Sequence, residues 1–139
     1  MFKVKIYTIG RLKETWLQEA LAEYEKRLSR QIGVEWVLAK NERELTEKIQ
    51  SPWIALDVRG ELVDSVALSK KLLKLFSHHG SRLNFLIGGS EGIDPLLLEK
   101  SAWRWSLSPL TFTHQMTRLI LLEQLYRAIE IDSGSAYHK

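Results

Sequence analysis

Four short stretches of this chain carry groups suited to chemistry. The turn Ile87-Gly88-Gly89-Ser90-Glu91-Gly92 holds three glycines, whose missing Cβ atoms allow backbone N–H groups to approach a ligand. Two of them are adjacent, so the turn is not the G-x-G-x-x-G dinucleotide pattern, and no Lys-Ser or Lys-Thr pair follows to make a phosphate loop. Alone, such a turn is an ordinary passage from strand to helix. The segment Leu107-Ser108-Pro109-Leu110-Thr111-Phe112 lacks charged side chains, so a ligand there would meet backbone amides and apolar walls, which suits a flat heterocycle such as adenine. A short buried strand and loop is its other reading. Glu123 and Arg127 stand one helical turn apart in the favourable order for an ion pair, inside an apolar run that needs burial on two sides; a modestly stabilising surface pair is the other reading. The tail Tyr137-His138-Lys139 offers a stacking ring, a titratable base and a phosphate contact, a set suited to RNA, although chain ends of this kind are commonly disordered. In order and spacing, these stretches describe a nucleoside-binding rim facing a reactive tail.

The elements that must position them alternate. Residues 3–9 alternate charge with Val4 and Ile6 as a strand does, and Gly10 ends the run. Residues 12–28 place Trp16, Leu17, Ala20, Leu21, Tyr24 and Leu28 on one face of an amphipathic helix. Residues 34–38 give a second strand. Asn41 and Glu44 form a capping box for a short helix reaching Ile49, which Ser51-Pro52 stops. The apolar run 53–58 before Gly60 fits a strand covered on both faces. Ser65 then caps a helix to about residue 77 that buries Val66, Leu72, Leu73 and Phe76. Residues 83–87 form a fourth strand, Asp94-Pro95 starts a helix, 105–108 form a fifth strand, and 113–131 the final helix. Strands alternating with helices imply an α/β fold, one domain over residues 1–139, with a mostly parallel sheet flanked by helices. In such sheets ligands sit beyond the carboxyl ends of strands. Leu56-Asp57-Val58-Arg59-Gly60, the glycine turn and residues 108–112 all fall there.

Composition sets the bounds. At 139 residues, 45% hydrophobic and 27% charged, the chain has the balance of one folded globular domain rather than a disordered segment. It has no cysteine, which excludes disulfides, thiolate metal sites and a cysteine nucleophile. His78 and His79 read as a solvated helix end, and no spacing resembles a metal site. The N-terminus lacks a signal-peptide core and no apolar run reaches membrane-spanning length, so a cytoplasmic protein with no membrane or metal partner is expected. Net charge is only +3, so an RNA partner would be recognised by shape and context more than by a general electrostatic grip. The five tryptophans are core candidates, and an exposed one would be a stacking surface.

The blocks Ile9-Gly10-Arg11-Leu12-Lys13, Ala22-Glu23-Tyr24-Glu25-Lys26-Arg27-Leu28, Leu56-Asp57-Val58-Arg59-Gly60, Ile87-Gly88-Gly89-Ser90-Glu91-Gly92, Leu121-Leu122-Glu123-Gln124-Leu125-Tyr126-Arg127-Ala128 and Tyr137-His138-Lys139 occur in that order. With them the chain resembles, end to end, the RlmH family of ribosomal RNA large-subunit methyltransferases, in the SPOUT class. The resemblance implies a C-terminal deep trefoil knot, which general topology rules count against, and a homodimer. It implies S-adenosylmethionine as cofactor, held mainly through backbone by Leu56, Gly88, Leu107, Ser108, Pro109, Leu110, Thr111 and Phe112. It implies methylation at N3 of a pseudouridine in large-subunit ribosomal RNA, on the assembled ribosome. On that pattern Tyr137, His138 and Lys139 orient the RNA, His138 is a candidate proton acceptor, and Glu123 and Arg127 order the site; the tail would act across the dimer. Two departures stand out: Thr113 replaces a proline common in the family before His114, and the region 41–50 is short. A non-catalytic dimeric RNA- or ribosome-associated protein of the same fold, and an α/β nucleotide-binding enzyme unrelated to RNA, are the competing readings.

Overall fold

A computed structural model describes all 139 residues. The elements run β1 (Phe2–Ile9), α1 (Thr15–Leu28), β2 (Ile32–Ala39), α2 (Glu42–Lys48), β3 (Trp53–Leu62), α3 (Ser65–His78), β4 (Arg82–Leu86), α4 (Pro95–Glu99), β5 (Trp103–Ser106) and α5 (His114–Ser133). The five strands form one sheet in the order β2-β1-β4-β3-β5, every pair parallel. The α/β parallel sheet expected from sequence is present.

The two faces of the sheet are covered unequally. Alternate residues of the strands, Val4, Ile6, Ile54, Leu83 and Phe85 among them, pack under α1, α3 and α5 into the main core. The other set, Tyr7, Ala39, Trp53, Ala55 and Leu86, meets Leu45 of α2 and Leu97 of α4 in a smaller one. Because α2 and α4 have only 7 and 5 residues, they reach across one half of their face. A helix rises about 1.5 Å per residue and a strand about 3.3 Å, so helices this short cannot follow a strand of eight residues from end to end.

Several boundaries differ from the sequence reading for identifiable reasons. Helix α1 begins at Thr15, because Gly10 turns with φ +89° and the following residues form an exposed lead-in whose Leu12 carbonyl accepts from Gln18 at 2.7 Å. Trp16, expected on the buried face, is 55% exposed; the buried stripe is Leu17, Leu21 and Leu28, and Trp16 lies on its flank. Strand β3 continues through Gly60 to Leu62. A Cβ on Gly60 would stand 2.7 Å from the Arg104 carbonyl, so this glycine admits β5 where the β3–β5 register shifts and does not end the strand. Asp64, not Ser65, caps α3, accepting from Ala67 N–H at 2.8 Å, and Val66 is exposed instead of buried. β5 lies two residues earlier than expected, and the stacked rings of Trp103 and Trp105 anchor it 5.5 Å apart. The Asn41 half of the capping box holds as read, Asn41 Oδ1 accepting from Glu44 N–H at 2.9 Å, but Glu44 reaches back one residue further, to Lys40 N–H at 3.1 Å, and not to Asn41 N–H.

Candidate active site

Beyond the carboxyl ends of β4 and β5, and beside the middle of β3 where its register with β5 shifts, lies a cavity of about 600 Å³, within the usual range for a small-molecule site. Leu56, expected on the rim at a strand end, lies within the strand instead, because β3 runs on to Leu62. Leu56, Gly88, Leu107, Ser108, Leu110, Thr111 and Phe112 line it, so the structure brings together three stretches that are far apart in sequence. Pro109, expected with them, is exposed and is not part of the wall. Each loop has a local cause. Ser108 bends its own loop, its hydroxyl accepting from Leu110 N–H at 3.0 Å and its carbonyl accepting from the Ser106 hydroxyl at 3.0 Å. The glycine turn closes on itself: Gly92 N–H donates to Gly89 O at 3.0 Å, Gly92 sits at φ +83°, and a Cβ on Gly88 would stand 2.7 Å from Gly92 backbone. Gly88 is therefore required by the packing of the turn itself, and the turn then forms one wall of the cavity.

Sequence reasoning missed the contribution of α5 to this wall. His114, the first residue of α5, and Thr117, three residues on, line the cavity behind Thr113, which caps the helix by accepting from Met116 N–H at 3.1 Å. Thr113 thus starts the helix through its side chain. The i, i+3 spacing behind a cap was the signal that could have found them. Asp57 also lines the cavity, and with His114 it supplies the titratable groups of the wall. Arg118 was missed as well. It is 1% exposed, and its Nη2 donates to Ile9 O at 3.0 Å and Gly10 O at 2.8 Å, tying the end of β1 to the first turns of α5. Burial lowers its pKa, yet a guanidinium keeps its proton. Its Nε and the Thr8 hydroxyl have no protein partner.

The second group of expected residues gathers elsewhere on α5. The Arg127 guanidinium grips Glu123 through Nε at 3.1 Å and through Nη2, and its Nη1 lies 3.0 Å from His138 Nδ1. Tyr137 donates its hydroxyl to Glu123 Oε1 at 3.2 Å. The chain reverses at Gly134 (φ +74°), and the Tyr137 ring meets Tyr126 edge-on at 4.8 Å. The tail is thus docked, not loose. A guanidinium only donates, so in this contact His138 Nδ1 is the acceptor. Hydrogen bonding to Glu123 raises the Arg127 pKa. Burial, followed by the neighbouring Tyr24 hydroxyl and the Glu123 carboxylate, pushes the Tyr137 phenol above its ordinary value and keeps it a neutral donor. Lys139 is exposed and makes no hydrogen bond or ion pair.

One chain does not bring the two groups together. Thr117 borders the cavity, while Glu123 and Arg127 follow six and ten residues later on the same helix, roughly 9 and 15 Å along its axis. The cavity and the tail bearing His138 and Lys139 therefore lie against different stretches of α5.

A family model described as "Predicted SPOUT methyltransferase" matches residues 2–138. The chain is 47% identical over 141 residues to "Ribosomal RNA large subunit methyltransferase H" of Protochlamydia amoebophila, covering 100% of both chains. It is 38% identical over 158 residues to the protein of that name from Acetivibrio thermocellus, covering 99% of each. The chain belongs to the RlmH family of SPOUT methyltransferases. This SPOUT methyltransferase also shares its fold with a Haemophilus influenzae Rd KW20 protein described as a "probable methylase family protein", with TM-score 0.58, 11% identity, and 98% of this chain and 70% of that one covered. In the SPOUT methyltransferase no helix is long and apolar enough to cross a membrane, and no three acidic or histidine side chains are grouped to hold a metal ion.

Proposed function

We propose that this SPOUT methyltransferase moves a methyl group from S-adenosylmethionine to N3 of a pseudouridine in large-subunit ribosomal RNA, as a cytoplasmic homodimer acting on the assembled ribosome. The observation that carries the reading is the match, over the whole chain, to relatives named for ribosomal RNA large-subunit methylation. The cavity supports the cofactor: Leu56, Leu107, Leu110, Phe112 and backbone suit a flat heterocycle, Asp57, Ser108, Thr111 and His114 add polar groups to the same wall, and its volume of about 600 Å³ accommodates an adenosyl group. The deep trefoil knot belongs to the same reading, and the packing of α5 against both α1 and α3 is compatible with it.

When bound, S-adenosylmethionine supplies a methyl group on a sulfonium, already a good leaving group. The work left to this chain is alignment and removal of the imide proton. Leu56, Gly88, Leu107, Ser108, Leu110, Thr111 and Phe112 hold and orient the nucleoside. Glu123 and Arg127 are positioning residues that set the rings of Tyr137 and His138. Lys139, free of intramolecular partners, is placed to meet an RNA phosphate. While docked on Arg127, His138 presents an Nε2–H donor; it takes the imide proton at Nδ1 once that atom leaves Arg127. Because cavity and tail are apart on one chain, the tail of one protomer serves the cavity of its partner.

The test is transfer of labelled methyl to ribosomes, free ribosomal RNA and free nucleosides in parallel. Transfer to ribosomes is expected to exceed the other two. Absence of transfer to all three, or failure of purified protein to bind S-adenosylmethionine, would overturn the reading in favour of a non-catalytic ribosome-associated protein. Full activity in His138→Ala would remove the histidine from the mechanism.

A further inference from the structure

The half of the sheet that α2 and α4 leave bare is cationic. Along β1 the residues facing that side change from Lys3 and Lys5 to Tyr7, and along β4 from Arg82 and Asn84 to Leu86; the apolar members lie under the helices and the polar members beyond them. Parallel register sets Lys3 beside Arg82 and Lys5 beside Asn84. These residues line a second cavity, of about 610 Å³, at the amino ends of the strands. Strand β1 separates it from the nucleoside cavity by roughly 20 Å. Gly33, in register with Lys3, adds no side chain to the floor. Asn84 holds one wall, its amide donating to Gln50 O at 2.8 Å and Pro52 O at 3.1 Å.

Charge selects the occupant. Glu35 is the carboxylate of this cavity, and it lies 3.9 Å from Lys5 Nζ. Lys3 and Arg82 have no carboxylate within ion-pair distance, and His79 stands at the same rim. Two adjacent, unneutralised cations in a concave polar floor match an anionic ligand and repel a basic one. With a net charge of only +3 over the chain, such a local concentration is where a polyanion would be gripped. We propose that this half-face is a second RNA contact, in which Lys3 and Arg82 take backbone phosphates of the substrate at a distance from the reacting base. The proposal rests on the reading that the substrate is RNA. Contacts of this kind fix position without reading sequence.

The experiment follows binding of a fluorescein-labelled RNA hairpin carrying the pseudouridine loop across a salt series, for the wild-type dimer and three variants. Lys3→Gln with Arg82→Gln is expected to weaken binding roughly tenfold at low salt and to reduce the slope of log affinity against log salt by about 1.4, two single-strand phosphate contacts' worth. Lys3→Arg with Arg82→Lys keeps the charge and is expected to keep both affinity and slope. Glu35→Gln is expected to tighten binding. Thermal melting and S-adenosylhomocysteine affinity should match wild type in all three, and on ribosomes KM should rise for the double glutamine variant while kcat holds. Unchanged RNA affinity and slope in that variant overturn the proposal, as does wild-type affinity without salt dependence. A defect on ribosomes with none on naked RNA also overturns it, since the occupant would then be a ribosomal protein. Failure of the activity reading is separate: it shows as no methyl transfer by wild type, while the salt slopes still report on this surface.

Discussion

Arg127 and Arg118 stand on one helix and do opposite work. Arg127 joins Glu123 to His138 at the surface of α5, away from the cavity. Arg127→Ala should therefore cut methyl transfer roughly ten- to a hundredfold, the scale of a lost charged hydrogen bond, and leave cofactor affinity unchanged. Calorimetry with S-adenosylhomocysteine beside a labelled-methyl assay checks both halves; equal loss of the two would mean that the cluster supports the cavity instead. Arg118 is buried and ties Ile9 and Gly10 to α5. Arg118→Met should leave those two carbonyls without a partner and lower stability by about 2 kcal/mol or more, read as a shift in urea midpoint at constant slope. A stable Arg118→Met protein would show that water satisfies the carbonyls. Both arginines are plain in the sequence, but only the pairing of Arg127 with Glu123 was legible, because it depends on spacing within one helix. The partners of Arg118 lie more than a hundred residues away.

At the level of elements, the turns carry the sharpest expectations. Gly88→Ala drives a Cβ into the Gly92 backbone at 2.7 Å, so the turn must open and the wall it forms must move. Weaker S-adenosylhomocysteine binding by at least tenfold, together with a stability loss of about 1–3 kcal/mol, is the expected pair of changes. Normal cofactor affinity in a folded Gly88→Ala protein would take the glycine turn out of the site. The far end of β3 gives a pH signature. Hydrogen bonds from Trp103, then from Lys71, hold the Glu61 carboxyl below its ordinary pKa and link β3 to β5 and α3. A lowered folded-state pKa means the contribution is full above the unfolded value, ~4.3, and is lost as pH falls through the folded value below it. Acid unfolding of Glu61→Gln should therefore be flatter below about pH 4 than that of wild type; identical acid limbs by circular dichroism would refute the link. Element types were readable from periodicity, caps and prolines. Their ends were not, since Gly60 resembles a stop until β5 is seen to need the space, and Asp64 and Ser65 are equivalent caps until the backbone picks one.

For the whole molecule, the separation of cavity and tail is the consequential fact. If each site is completed by two protomers, a heterodimer of a tail-truncated chain lacking residues 137–139 with a Gly88→Ala chain has one intact composite site of two and should recover up to about half of wild-type activity per dimer, where each homodimer has little. Mixing the two with no recovery, under conditions where subunits exchange, would place tail and cavity in service of the same chain. The sequence by itself determined the alternation of strands and helices, the caps of α2 and α4, the ion pair within α5 and the family, because each rests on neighbours in the chain or on residue order. Tertiary structure decided which loops meet. It made His114, Thr117 and Asp57 part of the wall, left Pro109 outside it, bound the tail to Arg127, and left half of one sheet face uncovered. Those outcomes depend on how far short helices reach across strands and on contacts between distant residues, neither of which periodicity along the chain encodes.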